Sequence, residues 1–207
     1  MIIGFDLDGT LIDTLENHIE AFLKAAKEMD IEVTRDFLID NQGMIAEELI
    51  SNVNPDIDKN KAESFLKLYR EYLNSNIDNL QPFPETVSAL TNIRKKAEIA
   101  IISNTHYNMI LHRLEQCGLN PLFFDLIIGS DLVNHPKPFP DEIQIVEKIK
   151  KHKLDLYVGD THIDAITGRR AKVKTVIISR DDSQLKKIKK AKPYKVIRNL
   201  NEIEEMI

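Results

Sequence analysis

Ile2-Ile3-Gly4-Phe5-Asp6-Leu7-Asp8-Gly9-Thr10 reads as a short apolar strand that runs directly into a pair of carboxylates. Residues two apart on an extended backbone face the same side, so Asp6 and Asp8 can address one reaction centre. Two carboxylates at a strand end can divide attack and proton transfer between them when their environments differ. Gly9 frees the backbone to turn sharply behind them. Asp-Gly is also an ordinary turn pair, so the meaning of this stretch depends on what the other strand ends carry.

Further short apolar runs lie at Ile99–Ile102, Leu126–Ile128, Leu154–Val158, Val176–Ile178 and Val196–Ile197. Among and before them fall segments with helical spacing, at Pro84–Lys96, Tyr107–Cys117, Pro140–Lys151, His162–Lys172 and Ser183–Lys190. Strands alternating with helices predict an α/β fold, a doubly wound parallel sheet of Rossmann-like type covered on both faces. The exception is the stretch from Thr14 to Leu80, which carries helical pattern and no convincing strand. Ile19, Phe22, Leu23 and Ala26 form one apolar stripe there, and Phe65, Leu66, Leu68, Tyr69, Tyr72 and Leu73 another. Asp13-Thr14-Leu15-Glu16 resembles a capping box at the start of the first. The expected organisation is a core domain of residues 1–13 and 81–207, with a second, smaller all-helical domain of residues 14–80 inserted after the first strand. Gln81-Pro82-Phe83-Pro84 is the expected return hinge, and an insert rooted beside Asp6 and Asp8 is expected to act as a lid.

Composition narrows the class. The 207 residues are 43% hydrophobic and 29% charged, which reads as globular and not disordered. A formal charge of −5 gives no general pull toward nucleic acid or anionic membranes, so neither is an expected partner. The run Lys186-Lys187-Ile188-Lys189-Lys190 reads as a solvated helix face. The apolar runs are strand-sized, and Met1–Phe5 has neither the basic start nor the long apolar stretch of a signal peptide, so a cytoplasmic protein is expected. Cys117 is the single cysteine, which leaves no intrachain disulfide and no cysteine-based zinc site; beside Gly118 at a helix end it reads as an inert packed thiol.

Ligands of open α/β sheets collect at the carboxyl ends of the strands. The first strand ends at Asp6 and the second at Ser103-Asn104-Thr105. The third is followed by His135-Pro136-Lys137-Pro138, and the fourth by Gly159-Asp160 with Asp164 four residues on. Each residue taken singly has an ordinary structural use: a strand-end hydroxyl, a solvated lysine, a helix cap. Their shared edge is what gives them a common purpose. His106, His135 and His162 lie near that edge without paired ligand spacing, and read as loop or supporting residues rather than a metal triad, with His106 and His162 as candidates for touching substrate.

These four segments, in this order, resemble the four motifs of the haloacid dehalogenase superfamily of aspartate-nucleophile phosphatases. The resemblance extends over nearly the whole chain, and the insertion point is similar to that of members with a small helical cap, such as phosphoglycolate phosphatases and β-phosphoglucomutases. It implies Asp6 as a nucleophile that forms an aspartyl-phosphate, and Asp8 as the acid that protonates the leaving oxygen and then activates water. It implies that Ser103 and the backbone amide of Asn104 hold phosphoryl oxygens while Lys137 neutralises charge. Magnesium would be held by Asp6, Asp160 and the main-chain carbonyl of Asp8, with Thr10 and Asp164 in support.

Elementary electrostatics asks for the same set. A carboxylate approaching a phosphate dianion to about 4 Å meets a repulsion of roughly 8 kcal/mol at an effective dielectric of 20. A divalent cation and a lysine beside the pair offset it, and oxygen-only ligands suit magnesium better than zinc. Asp8 is expected to have a raised pKa once the insert closes and water leaves, and Asp6 to stay ionised beside the metal and Lys137. Expelling a halide needs no proton whereas expelling an alkoxide does, so an acid at Asp8 favours phosphate esters.

The expected activity is magnesium-dependent hydrolysis of a small phosphorylated metabolite, of phosphoglycolate or sugar-phosphate type, by a monomer or weak homodimer. A sugar-phosphate mutase or a pyrophosphatase on the same site, and a catalytically silent binding module, are the alternatives. Mutase-like caps carry an arginine three residues after a glycine in the segment matching Gln42-Gly43-Met44; this chain has Ala46 there. Arg35, Lys67 and Arg70 are the insert's candidates for an anionic substrate tail. Lys172 stands where the helix after the fourth motif usually ends in glycine. A left-handed backbone at that position would cost about 1 kcal/mol relative to glycine.

Overall fold

The computed structural model describes residues 1–75, 80–180 and 182–207. The chain divides into two compact units, one formed by Met1–Asp13 with Gln81–Ile207 and the other by Thr14–Leu80.

The first unit is built on strands β1 (Ile2–Phe5), β4 (Glu98–Ser103), β5 (Leu126–Gly129), β6 (Leu156–Gly159), β7 (Thr175–Ile178) and β8 (Lys195–Ile197). They form one sheet in the order β5-β4-β1-β6-β7-β8 with every pairing parallel. β1 lies at the centre, with Phe5 opposite Ile101 on one side and Val158 on the other. Helices α5 (Thr86–Arg94), α6 (Tyr107–Gln116), α7 (Asp141–Lys150), α8 (His162–Ala171) and α9 (Leu185–Ala191) connect the strands. The strand order reverses at β1, so the ends of β1, β4 and β6 open onto the switch point where ligands of such sheets bind.

Every residue of β1, β6 and β7 is buried, as strands covered on both faces require. One core cluster joins Ile2, Ala100, Ile102, Ile143, Val146 and Tyr157. Helix α9 buries Ile188 and Ala191 and exposes its lysines, the solvated face expected from the sequence. Cys117 follows the end of α6 as a half-buried free thiol, and burial pushes its pKa up to about 11, which leaves it unreactive.

A second pairing was not legible in the sequence. β2 (Ile12–Asp13) and β3 (Gln81–Pro82) form an antiparallel ribbon, with Ile12 opposite Pro82 and Asp13 opposite Gln81. Two-residue strands carry no period-two pattern, so only the prolines stood out. This ribbon also corrects the reading of Asp13 as part of a capping box. Asp13 is committed to the ribbon, Thr14 is the N-cap of the following helix, and no side chain caps it.

The described part of Thr14–Leu80 is helical: α1 (Leu15–Glu28), α2 (Arg35–Asp40), α3 (Ala46–Val53) and α4 (Lys59–Ser75). The sequence reading of this segment also took in residues 76–79, which lie outside the described residues. Its core is aromatic, with Phe22 of α1 edge-on to Phe65 of α4 at 4.7 Å between centroids and to Tyr69 at 5.7 Å. Arg35 pairs with Glu16, Arg70 with Glu47 at 2.8 Å, and Lys67 lies 4.0 Å from Glu71. All three cations proposed for an anionic substrate tail therefore have carboxylate neighbours inside this unit.

Lys172 ends α8 with φ 59° and ψ 38°, the left-handed backbone that favours glycine. Replacing Lys172 with Gly is expected to raise the unfolding free energy by about 1 kcal/mol. Urea titration measures it, and no gain would mean that Lys172 recovers the cost through contacts of its side chain. Among the described residues, no helix is long and apolar enough to cross a membrane.

Candidate active site

β1 delivers Asp6 to the sheet edge, where its amide donates to the Val158 carbonyl at 2.8 Å and so continues the ladder with β6. The chain then wraps around one acceptor: the Leu7 carbonyl receives the amides of Leu11 at 2.9 Å and Ile12 at 3.1 Å. Gly9 is required in this loop on two grounds. Its φ is +77°, and a Cβ there would fall 2.2 Å from an Asp160 carboxylate oxygen. Thr10, fully buried, turns its hydroxyl to Asp160 at 3.4 Å. The loop that carries Gly9 and Thr10 thus packs directly against the Asp160 carboxylate at the end of β6.

Asp6, Asp160 and Asp164 each place a carboxylate oxygen within 4.8 Å of the others. Lys137 reaches into this cluster from the loop between β5 and α7. Its ammonium donates to Asp6 Oδ1 at 2.7 Å, Asp164 Oδ1 at 2.7 Å and the Tyr157 hydroxyl at 3.0 Å, which uses all three donors. The Tyr157 hydroxyl donates in turn to Asp164 Oδ1 at 2.7 Å. The other Asp164 oxygen accepts from the Thr161 amide at 3.1 Å and hydroxyl at 2.7 Å, closing a capping box at the start of α8. Asp164 is therefore both a helix cap and the anchor of Lys137, so the two uses weighed from the sequence coexist in one residue.

The second strand end is arranged around Asp8. The Thr105 hydroxyl donates to Asp8 Oδ2 at 2.6 Å, and the Arg113 guanidinium pairs with Asp8 Oδ1. Ser103 is buried at the end of β4 and its hydroxyl oxygen accepts from the Thr105 amide at 3.1 Å. The side-chain amide of Asn104 donates to the Lys137 carbonyl at 3.1 Å, which ties the β4 end to the lysine loop. Among the histidines, His135 pairs with Asp141 at 3.1 Å and His106 precedes α6. Burial lowers the pKa of His162, and among the described residues no histidine joins a cluster able to hold a metal ion.

Four residues that shape the site were not singled out from the sequence. Thr105 stood within a quoted segment without a role. Arg113 falls on the buried stripe of α6 with Ile110 and Leu114, and a cation on an apolar stripe is itself a signal. Tyr157 sits inside a central strand, where a buried hydroxyl demands a partner. Glu142 is fully buried on α7 beside Ile143 and Val146, and accepts from the Lys137 amide at 3.2 Å.

The expectation that Asp6 stays ionised beside the metal and Lys137 concerns the cation-bound protein, and without a bound cation the balance is different. Burial, with Asp164 and Asp8 nearby, outweighs Lys137 and pushes Asp6 up to about 7. Burial and the charge of Asp6 also raise Asp160 well above the carboxylate range. Asp164 is penalised by burial too, yet Lys137 and the Thr161 and Tyr157 hydrogen bonds hold it below its ordinary value. Burial opposes the charge on Lys137, but Asp164 and Asp6 keep it firmly protonated. Among the described residues, Lys137 pairs with Asp6 and Asp164, and Arg113 with Asp8, in a site rich in carboxylates. A divalent cation would offset the repulsion among these acids, and the donors are all oxygens, so the residues fit magnesium. Asp164 spends both oxygens on Lys137, Tyr157 and Thr161, which leaves Asp6 and Asp160 as the carboxylates able to ligate.

Glu142 stores a separate pH dependence. Burial raises its pKa from 4.5 to about 7 against the opposing charge of Lys137. A carboxyl raised by folding keeps its full stabilisation below the unfolded value and loses it as pH climbs from about 4.5 through about 7. Glu142→Gln is expected to match the wild type near pH 4, below the unfolded value, and to exceed it by about 3 kcal/mol above pH 8. Urea titrations at the two pH values measure this; an equal difference at both would place the effect in packing.

The chain is similar to known proteins over nearly its whole length. Residues 2–178 match the family model described as haloacid dehalogenase-like hydrolase. The chain is 30% identical over 203 residues to the pyrophosphatase PpaX of Oceanobacillus iheyensis, covering 96% of this chain and 92% of the relative. It is 30% identical over 181 residues to a phosphoglycolate phosphatase of Aquifex aeolicus, covering 85% and 83%. A crystal structure described as a haloacid dehalogenase-like hydrolase from Bacteroides fragilis superposes with a TM-score of 0.89 at 27% identity, over 98% of each chain. The chain belongs to the haloacid dehalogenase-like hydrolase family. It is an enzyme of the phosphatase kind, with the six-stranded α/β core of that family.

Proposed function

We propose that the protein is a magnesium-dependent phosphatase that hydrolyses a small phosphorylated metabolite through an aspartyl-phosphate on Asp6. The observation that carries this reading is Lys137, buried and bonded to both Asp6 and Asp164 inside a cluster of three carboxylates. A lysine so placed holds positive charge next to the attacking oxygen, where a phosphoryl group gathers negative charge. Asp6, Asp160 and the Asp8 carbonyl would hold magnesium. When bound, the cation neutralises the excess acidity of the cluster and the charge of the phosphoryl oxygens.

In the first step an Asp6 oxygen forms a bond to phosphorus as the bond to the leaving oxygen breaks, and Asp8 gives that oxygen its proton. In the second, water attacks the phosphorus of the aspartyl-phosphate, Asp8 takes the water's proton, and phosphate leaves with Asp6 restored. Ser103 and the Asn104 amide bind phosphoryl oxygens at the end of β4, while Thr10 and Asp164 keep Asp160 and Lys137 in place. In this reading the unit of Thr14–Leu80 is a separate domain that selects the substrate. The names of the relatives in Oceanobacillus and Aquifex support phosphoglycolate-like esters or pyrophosphate as the substrate class. Ala46, at the start of α3, offers no cation for a second phosphate and disfavours a mutase.

The test is turnover of p-nitrophenyl phosphate and of a panel of phosphorylated metabolites and pyrophosphate, with magnesium and with excess chelator. Magnesium-dependent release of phosphate is expected, with preference for a small ester or anhydride. A folded protein that turns over nothing on the panel would favour a binding module instead.

A further inference from the structure

Among the described residues Arg113 is the largest fully buried side chain, 1% exposed on the inner stripe of α6. Arginine is almost never buried so completely unless it is paired. Its partner is Asp8 Oδ1, and the same nitrogen lies 3.3 Å from the Thr105 hydroxyl oxygen. Thr105 in turn donates to the other Asp8 oxygen at 2.6 Å. One carboxylate is therefore gripped at both oxygens, from the helix on one side and from the turn after β4 on the other.

The grip has a cost. Among the described residues, Nε and Nη2 of Arg113 are buried without a hydrogen-bond partner. Desolvated donors of this kind destabilise a fold. A methionine would fill the same space without that penalty, so the contribution of the arginine lies in its contact with Asp8. A guanidinium suits this use because its planar fork fixes direction, whereas an ammonium holds only distance.

We propose that Arg113 is the positioning residue for Asp8, acting with Thr105 to aim its carboxylate at the leaving oxygen and then at water. This rests on the role given to Asp8 above. A proton donor displaced by about 1 Å can lose about 10²-fold in rate while substrate binding is unaffected. The loss falls on leaving groups that need a proton and spares those that do not.

Steady-state kinetics of the magnesium-loaded Arg113→Met and Arg113→Lys variants on β-glycerol phosphate and p-nitrophenyl phosphate test this. Arg113→Met is expected to lower kcat for the alkyl ester about 10²-fold and for the aryl ester less than about tenfold, with KM little changed. Arg113→Lys is expected to regain part of the alkyl rate. Thr105→Val, which leaves α6 intact, should shift the alkyl-to-aryl ratio in the same direction and serves if Arg113→Met does not fold. In an Asp8→Asn background, Arg113→Met should leave that ratio unchanged. Equal losses on both esters, or a change in KM alone, would overturn the positioning role while Asp8→Asn still discriminates between them. If Asp8→Asn itself does not discriminate, the acid role of Asp8 fails and the proposal fails with it.

Discussion

Asp6→Asn is expected to lower magnesium-dependent turnover of p-nitrophenyl phosphate by about 10⁴-fold or more, with the fold retained. The reasoning starts from burial. Asp6 is 5% exposed, its amide extends the central ladder, and one of its oxygens is held by Lys137 at 2.7 Å. Asparagine preserves that shape and can still accept from Lys137, but it has no carboxylate oxygen with which to attack phosphorus. It also removes the charge that raises Asp160, so the variant should melt no lower than the wild type without added metal. Activity and melting temperature are read on the same preparation. A rate within about tenfold of wild type would remove Asp6 from the chemistry.

Asp8→Asn is expected to separate substrates by leaving group. General acid–base catalysis contributes about 10²–10⁴-fold, and the benefit is greatest where the departing oxygen would otherwise leave as an alkoxide. Alkyl phosphates should therefore lose about 10³-fold, while p-nitrophenyl phosphate should lose far less in the first step. Both oxygens of Asp8 are engaged, by Thr105 and by Arg113, so a local repacking must be separated from a lost proton. The ratio of the two substrates does this, because misfolding lowers both rates together. Equal losses would remove Asp8 as the acid.

The parts of the molecule that were legible in the sequence share a physical cause. β1, β6 and β7 are buried on every residue, so their apolar runs were unbroken and their ends could be read for chemistry. Asp6 and Asp160 stand where β1 and β6 stop and Ser103 closes β4, while the roles expected of them came from the family resemblance. β2 and β3 were not legible because their pairing is set by two residues on each side. Asp13 was misread for the same reason, as its engagement with Gln81 is invisible at short range. Arg113 and Tyr157 escaped because their partners come from other elements: Asp8 from the first loop for one, Lys137 and Asp164 for the other.

Asp6 as the phosphoryl acceptor is the central claim, and a covalent trap tests it most directly. The magnesium-loaded enzyme is mixed with p-nitrophenyl phosphate, quenched in acid during turnover, digested and analysed by mass spectrometry. The account predicts one added phosphoryl group on the peptide containing Asp6, sensitive to hydroxylamine as an acyl phosphate and absent from Asp6→Asn. An active enzyme that carries its phosphoryl group on any other residue would contradict it.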